Sequence, residues 1–195
     1  MHRAVRALLM RGQALLSVLP LFWSAAAAED PLQLESAVIV PNGVIALDQV
    51  FDRFGCGGRN VSPPLHWRGA PAGTQSFALT MFDPDAGGGA GFWHWLVYDI
   101  PPRAVELPQG VGSNTAPGRE QLPSGAHQAP NGFGTPGYGG PCPPKGAAPH
   151  HYLFTLHALK VAKLEVPPKA SAADNDRLIR REELAHASLV GVYGR

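Results

Sequence analysis

Two short blocks of this chain gather the side chains best suited to chemistry. The first is Asp83-Pro84-Asp85-Ala86 followed by Phe92-Trp93-His94-Trp95. The second is Gly140-Pro141-Cys142-Pro143-Pro144-Lys145-Gly146 followed by His150-His151-Tyr152. Together they offer two carboxylates, three imidazoles and a phenol. Ring N–H groups and a phenol O–H donate hydrogen bonds, which suits a phosphate-like anion. A neighbouring carboxylate can orient a histidine and keep its donor proton in place, or receive the ammonium of a zwitterionic ligand. The same residue types also permit a divalent metal on Asp83, Asp85, His94 and His150, or an acid/base pair of Asp83 and His94. No serine or thiol nucleophile stands beside that pair, so a hydrolase is the weaker reading; no cofactor is implied. Taken singly the motifs are weak, since an Asp-Pro-Asp is commonly a turn held by Asx hydrogen bonds.

The elements that must position these groups are short strands. In Ser76–Phe82, alternation places Phe77, Leu79 and Met81 on one face, with Asp83 following in parity at the strand end. Residues 92–100 form a strand with Phe92, His94, Leu96 and Tyr98 on one face and Trp93, Trp95 and Val97 on the other. Both faces are largely apolar, which predicts a central strand covered on both sides. Tyr152–Leu159 is a third strand. His150 and Tyr152 are two apart and share a face; His151 points the other way. Parity therefore selects Asp83, His94, His150 and Tyr152 as the residues able to surround one cavity, and Gly137-Tyr138-Gly139-Gly140 can add backbone N–H donors. Asp85 is assigned to holding its loop, and His66, His127, His151, His157 and His186 to structural or surface roles.

Elsewhere, Leu34–Val40 and Val44–Phe51 read as a hairpin around Pro41-Asn42-Gly43. Residues 101–149, dense in Gly and Pro and without apolar periodicity, predict a long irregular excursion. Asp174 or Asn175 is placed to cap a helix running to about Ala187, packed through Leu178, Ile179 and Leu184. Residues 188–193 then form a final strand.

Residues 1–28 read as an export signal. Arg3, Arg6 and Arg11 precede an apolar run from Ala14 to Trp23, and Ala26-Ala27-Ala28 offers a cleavage site. That run is too short to span a bilayer comfortably, and no later one is longer, so no transmembrane span is expected. Cleavage after Ala28 leaves 167 of the 195 residues, 29–195, enough for one domain. The formal charge then moves from +1 to −2, with no Lys/Arg cluster, a poor basis for binding nucleic acid. A periplasmic or secreted location favours a Cys56–Cys142 disulfide; two buried thiols or a Cys/His zinc site, which lacks any C-x-x-C spacing, are the alternatives.

The chain resembles the phosphatidylethanolamine-binding protein family, in its bacterial Raf-kinase-inhibitor-like branch, from about Val44 to Arg195. The resemblance rests on Phe54-Gly55-Cys56-x-Gly58-x-Asn60-x-Ser62-Pro63-Pro64-Leu65-x-Trp67 and Pro71-x-Gly73-Thr74-x-Ser76-Phe77. It continues through Asp83-Pro84-Asp85-Ala86, His94-Trp95, Gly137-Tyr138-x-Gly140-Pro141-Cys142-Pro143-Pro144-x-Gly146 and His150-x-Tyr152-x-Phe154. It implies a mainly antiparallel β-sandwich with peripheral helices, and a small anion pocket lined by Asp83, His94, His150 and Tyr152. Phe92 and Pro141 to Pro144 are the matching wall positions. The implied function is binding a phosphorylated small molecule or phospholipid headgroup. The alternative is inhibition of a peptidase or other extracytoplasmic protein partner, with 101–149 as the contact surface. Three departures stand out. Gly87 replaces the family's proline after Asp-Pro-Asp-Ala, Asn131-Gly132-Phe133-Gly134 replaces an Asn-Asp, and His151 replaces a basic residue near the rim.

Overall fold

Alternating apolar residues give this chain its strands, and a computed structural model describes residues 31–113 and 121–195. In chain order the strands are β1 (Gln33–Glu35), β2 (Gly43–Val44), β3 (Leu65–Arg68), β4 (Ser76–Asp83), β5 (Phe92–Ile100), β6 (Glu106–Leu107), β7 (His127–Gln128) and β8 (His150–Leu159). Helix α1 (Ala172–Arg181) and strand β9 (Glu183–Tyr193) close the fold. A six-stranded sheet of order β2-β9-β8-β4-β5-β7 faces a three-stranded sheet of order β1-β3-β6. The core lies between them. Phe77, Leu79, Met81, Trp95, Val97, Tyr152, Phe154 and Leu156 of the large sheet meet Leu34, Leu65, Trp67 and Leu107 of the small one. The outer face of the large sheet carries Ala78 and Leu159, which α1 covers with Ile179. The expected β-sandwich is the observed fold, and β5 is covered on both sides as its two apolar faces require.

Three expectations are corrected. The turn at Pro41-Asn42-Gly43 forms, with the Gly43 amide donating to the Val40 carbonyl at 2.8 Å. Its flanks do not pair with each other: β1 pairs β3, and β2 runs parallel to β9. The chain leaving the turn is held to β9 instead, by Asn42 N–H to Val190 O and Ile45 N–H to Val192 O, both 2.8 Å. Helix α1 is capped by Ser171, not by Asp174 or Asn175. Ser171 accepts from the Asp174 amide, and the Asp174 side chain accepts from the Ser171 amide. Asp174 is thus the third helical residue of a capping box, a role its residue type fits as well as a cap. The helix ends at Arg181 rather than near Ala187, and β9 takes eleven residues from Glu183. Alanines at 185 and 187 make that strand's inward face, too small a signal to outweigh their helix propensity. Leu184 is accordingly exposed, not packed under the helix.

The described residues of 101–149 are mostly irregular, as expected, and among them only the short strands β6 and β7 form. Segments of that stretch are nonetheless interior: Leu107, Val111, Ser113, Asn131 and Tyr138 are all buried. The expected export signal at 1–28 lies outside the described residues. Among the described residues no helix is long and apolar enough to cross a membrane.

Candidate functional site

Strand order assembles the site. Strand β4 runs antiparallel to both β5 and β8. Its carboxyl end at Asp83 therefore lies beside the amino ends of both neighbours, which carry Phe92, His94, His150 and Tyr152. These five residues line one cavity of about 270 Å³, with Asp85, Ala86, Gly87, Gly88, Phe133, Cys142, Pro143 and Pro144.

A β-bulge decides how β5 enters. Met81 pairs with Trp95 but Phe82 pairs with Trp93, so His94 is an extra residue in β5. The bulge reverses parity beyond it. Phe92 then stands opposite Asp83, and Trp93 packs on Phe82 in a tilted arrangement with centroids 4.5 Å apart. Simple alternation had placed Phe92 and His94 on a face with Leu96 and Tyr98. Instead Tyr98 packs on the α1 side, and Phe92 joins the cavity.

Asp83 is buried and its carboxylate is fully used. Oδ1 accepts from the amides of Asp85 (2.9 Å) and Ala86 (3.1 Å), the Asx turn of the Asp-Pro-Asp motif. Oδ2 accepts from His150 Nδ1 at 2.7 Å and lies 3.9 Å from His94 Nε2. Burial pushes the Asp83 carboxyl up, but the two imidazoles and the Asp85 amide outweigh it and hold it below its ordinary range. Asp83 is therefore a turn residue and a site residue at once.

The histidines have assigned tautomers. His94 Nδ1 lies 2.6 Å from the Gly139 carbonyl oxygen, which can only accept, so Nδ1 carries a hydrogen. His150 Nδ1 likewise donates to Asp83. Each Nε2 is then an acceptor in the neutral ring and a donor only in the imidazolium. Tyr152 is fully buried, and its hydroxyl has no hydrogen-bond partner among the described residues. Burial first, then the charges of Asp83 and Asp85, raise its pKa above the ordinary phenol range, so it remains a donor. The His94 ring stands edge-on to Tyr152 at 5.2 Å and to Phe92 at 4.9 Å.

The wall differs from expectation at one position. Pro141 is buried behind the cavity, where its carbonyl accepts from the Phe51 amide at 3.1 Å; Cys142, Pro143 and Pro144 form the lining. Nor do the amides of 138–140 form an open donor nest. Tyr138 N–H goes to Gly112 O, Gly139 N–H to His94 O and Gly140 N–H to Asn60 Oδ1. The donors are spent on placing the loop, and the Gly139 carbonyl orients His94 instead. At the rim, Gly87 (φ 60°) and Gly88 (φ 66°) take left-handed conformations that suit glycine. Asp85 accepts from the amide and Nδ1 of His151, at 2.7 and 2.9 Å, which pins the rim to β8 as its loop-holding role predicts.

Three contributors escaped the sequence reading. Asn60 bridges to Tyr138 O and Gly140 N, and Asn131 bridges to Gly137 O and the Phe133 amide. These buried amides fix the loop that orients His94. Phe133 is the third, a lining aromatic from the irregular stretch. The signal for two of them is Asn60 and Asn131 themselves, since asparagines in Gly-rich loops often replace missing backbone partners. Cys56 and Cys142 are disulfide-bonded with Cα atoms 5.7 Å apart, joining the cavity wall to the 54–58 loop. Among the described residues no three His, Cys, Asp or Glu side chains are placed to hold one metal ion.

Known proteins resemble this chain in sequence and in fold. Escherichia coli K12 YbcL is 43% identical over 161 residues, covering 83% of this chain and 86% of its own. Its crystal structure, described as a member of the mammalian PEBP family, superposes with a TM-score of 0.80 at 42% identity, covering 85% of this chain and 99% of that one. A Mycobacterium tuberculosis relative named "Putative lipoprotein LppC" is 42% identical over 168 residues, 86% of this chain and 75% of its own. The family profile described as phosphatidylethanolamine-binding protein matches residues 35–194. With the sandwich, the Asp83–His150 pair and the buried tyrosine in place, the chain belongs to the phosphatidylethanolamine-binding protein family.

Proposed function

We propose that this chain is an exported, non-catalytic binding protein whose cavity holds a phosphate-like anion or phospho-headgroup. The observation that carries this reading is the buried Tyr152 hydroxyl, without a hydrogen-bond partner among the described residues, in a lining that also holds His94 and His150. A buried donor left alone costs roughly 1–3 kcal/mol, a cost that a bound oxygen atom removes. His94 and His150 supply two further donors in their imidazolium forms, and Asp83 holds the His150 ring in place. A non-catalytic role is supported by the lining, which among the described residues has no serine or threonine and whose one cysteine is in the disulfide. Export is supported by the basic-then-apolar amino terminus, the disulfide and the lipoprotein name of the mycobacterial relative.

NMR titration with inorganic phosphate and phosphoethanolamine tests the reading. Ring-proton shifts at His94 and His150 are expected at millimolar ligand; their absence would reject it.

A further inference from the structure

Beyond the anion cavity, Phe133 also lines a second groove with Phe51, Asp52, Arg53, Phe54, Asn60, Asn131, Thr135 and Tyr138. We propose that this groove is an aromatic subsite continuous with the anion cavity, so that the ligand class is a phosphomonoester bearing an aromatic ring system. The inference rests on the phosphate reading above and names the part of the ligand that reading leaves open.

The aromatic groups form an unbroken path. The Phe133 centroid is 6.1 Å from His94 and 4.7 Å from Phe92 on the cavity side. On the groove side it stacks on Phe51 at 4.5 Å, nearly parallel, and lies 6.2 Å from Phe54. Its backbone is fixed rather than loose. Asn131 Oδ1 accepts from the Phe133 amide, the Gly132 amide donates to Trp93 O, and the Gly134 amide to Asn131 O. Two glycines make the space. A Cβ at Gly139 would stand 2.6 Å from the Phe133 ring, and one at Gly132 would stand 2.5 Å from the Phe92 ring. Those rings can lie on bare backbone only because both positions lack side chains.

Phe54 is the second, independent sign. It is 72% exposed, a large apolar cost on a surface, and its φ of 53° is a left-handed conformation that a bulky residue rarely adopts. Strain of this kind persists where surrounding structure enforces it and concentrates at ligand sites. Here the neighbouring Cys56 disulfide fixes the loop. The groove carries one acid and one base, Asp52 and Arg53, so it has no net charge to attract a second anion. Stacking and apolar burial are what it can supply. A planar group leaving the phosphate on the Phe133 side would cover the exposed Phe54 ring.

The test compares inorganic phosphate, 2-naphthyl phosphate and n-hexyl phosphate by calorimetry and NMR, on wild type and Phe54→Gly. Glycine readily adopts the left-handed conformation, so the variant keeps the loop's backbone, and Phe54 lines the groove and not the anion cavity. On wild type, 2-naphthyl phosphate should bind about tenfold more tightly than inorganic phosphate and shift the amides of 52–56. Phe54→Gly should lose most of that gain while inorganic phosphate binds unchanged. Equal affinity for naphthyl and inorganic phosphate overturns the subsite alone. A hexyl gain matching the naphthyl one overturns its aromatic preference. If inorganic phosphate itself leaves His94 unmoved, the anion reading fails and the inference falls with it.

Discussion

Tyr152 shows how a single residue can set ligand affinity against stability. Its hydroxyl is buried without a partner, so the apo fold bears the cost of desolvating it. Tyr152→Phe is therefore expected to leave the unfolding free energy unchanged or raise it by up to about 1 kcal/mol, by chemical denaturation. The same variant should weaken phosphate binding about five- to tenfold, because one donor to the anion is lost. A structural tyrosine would show the opposite pattern, with stability lost and affinity kept. Asp83 behaves differently. Both its oxygens are engaged, one by the Asx turn and one by His150, so replacing it disturbs turn and pocket together.

At the scale of elements, the strands do more than scaffold. The bulge in β5 delivers His94 and Phe92 to the cavity, and β8 presents His150 and Tyr152 by simple alternation. On the sheet's outer face, β8 and β9 share a second ionic cluster that the site does not use. Glu183 accepts from buried His157 at 2.5 Å and from exposed His186 at 2.7 Å. Those two bonds, His157's the larger, hold the Glu183 carboxyl down at about 2, against an ordinary 4.5. A carboxyl depressed on folding contributes stability above its unfolded value and loses it as pH falls toward the folded one. Wild type should thus lose stability steeply between about pH 4.5 and pH 2. Glu183→Gln should make that acid limb shallower in denaturant midpoints measured across the range. An unchanged limb would show that other carboxylates govern it.

For the molecule as a whole, the cavity wall is clamped from outside the sheet. The Cys56–Cys142 bridge spans 86 residues, and Arg195 joins the same two loops by donating to Pro143 O (2.7 Å) and Gly55 O (3.0 Å). Closing a loop of that length limits the unfolded chain, so the Cys56→Ser/Cys142→Ser variant should lose roughly 2–4 kcal/mol of stability. Phosphate affinity should fall with it, since Cys142 to Pro144 form one side of the cavity. Calorimetry on oxidised protein and on the variant separates the two effects. Unchanged affinity would mean that Arg195 holds the wall by itself.

Local pattern in the sequence determined the β-rich class, the central place of the 92–100 strand, and the parity that puts His150 with Tyr152 and Asp83 with Met81. Each follows from a period-two repeat or a fixed spacing, which needs no knowledge of distant chain. Motif resemblance added the sandwich and the four-residue pocket. Tertiary structure alone decided the rest. The extra residue at His94 leaves no trace in alternation, because its signal is a change of partner across the sheet. The hairpin at Gly43 failed because its flanks joined different sheets, β1 to β3 and β2 to the eleven-residue β9. The amides of 138–140 became filled donors, and Pro141 a back wall, only when Asn60, Gly112 and Phe51 arrived from elsewhere to take up their hydrogen bonds.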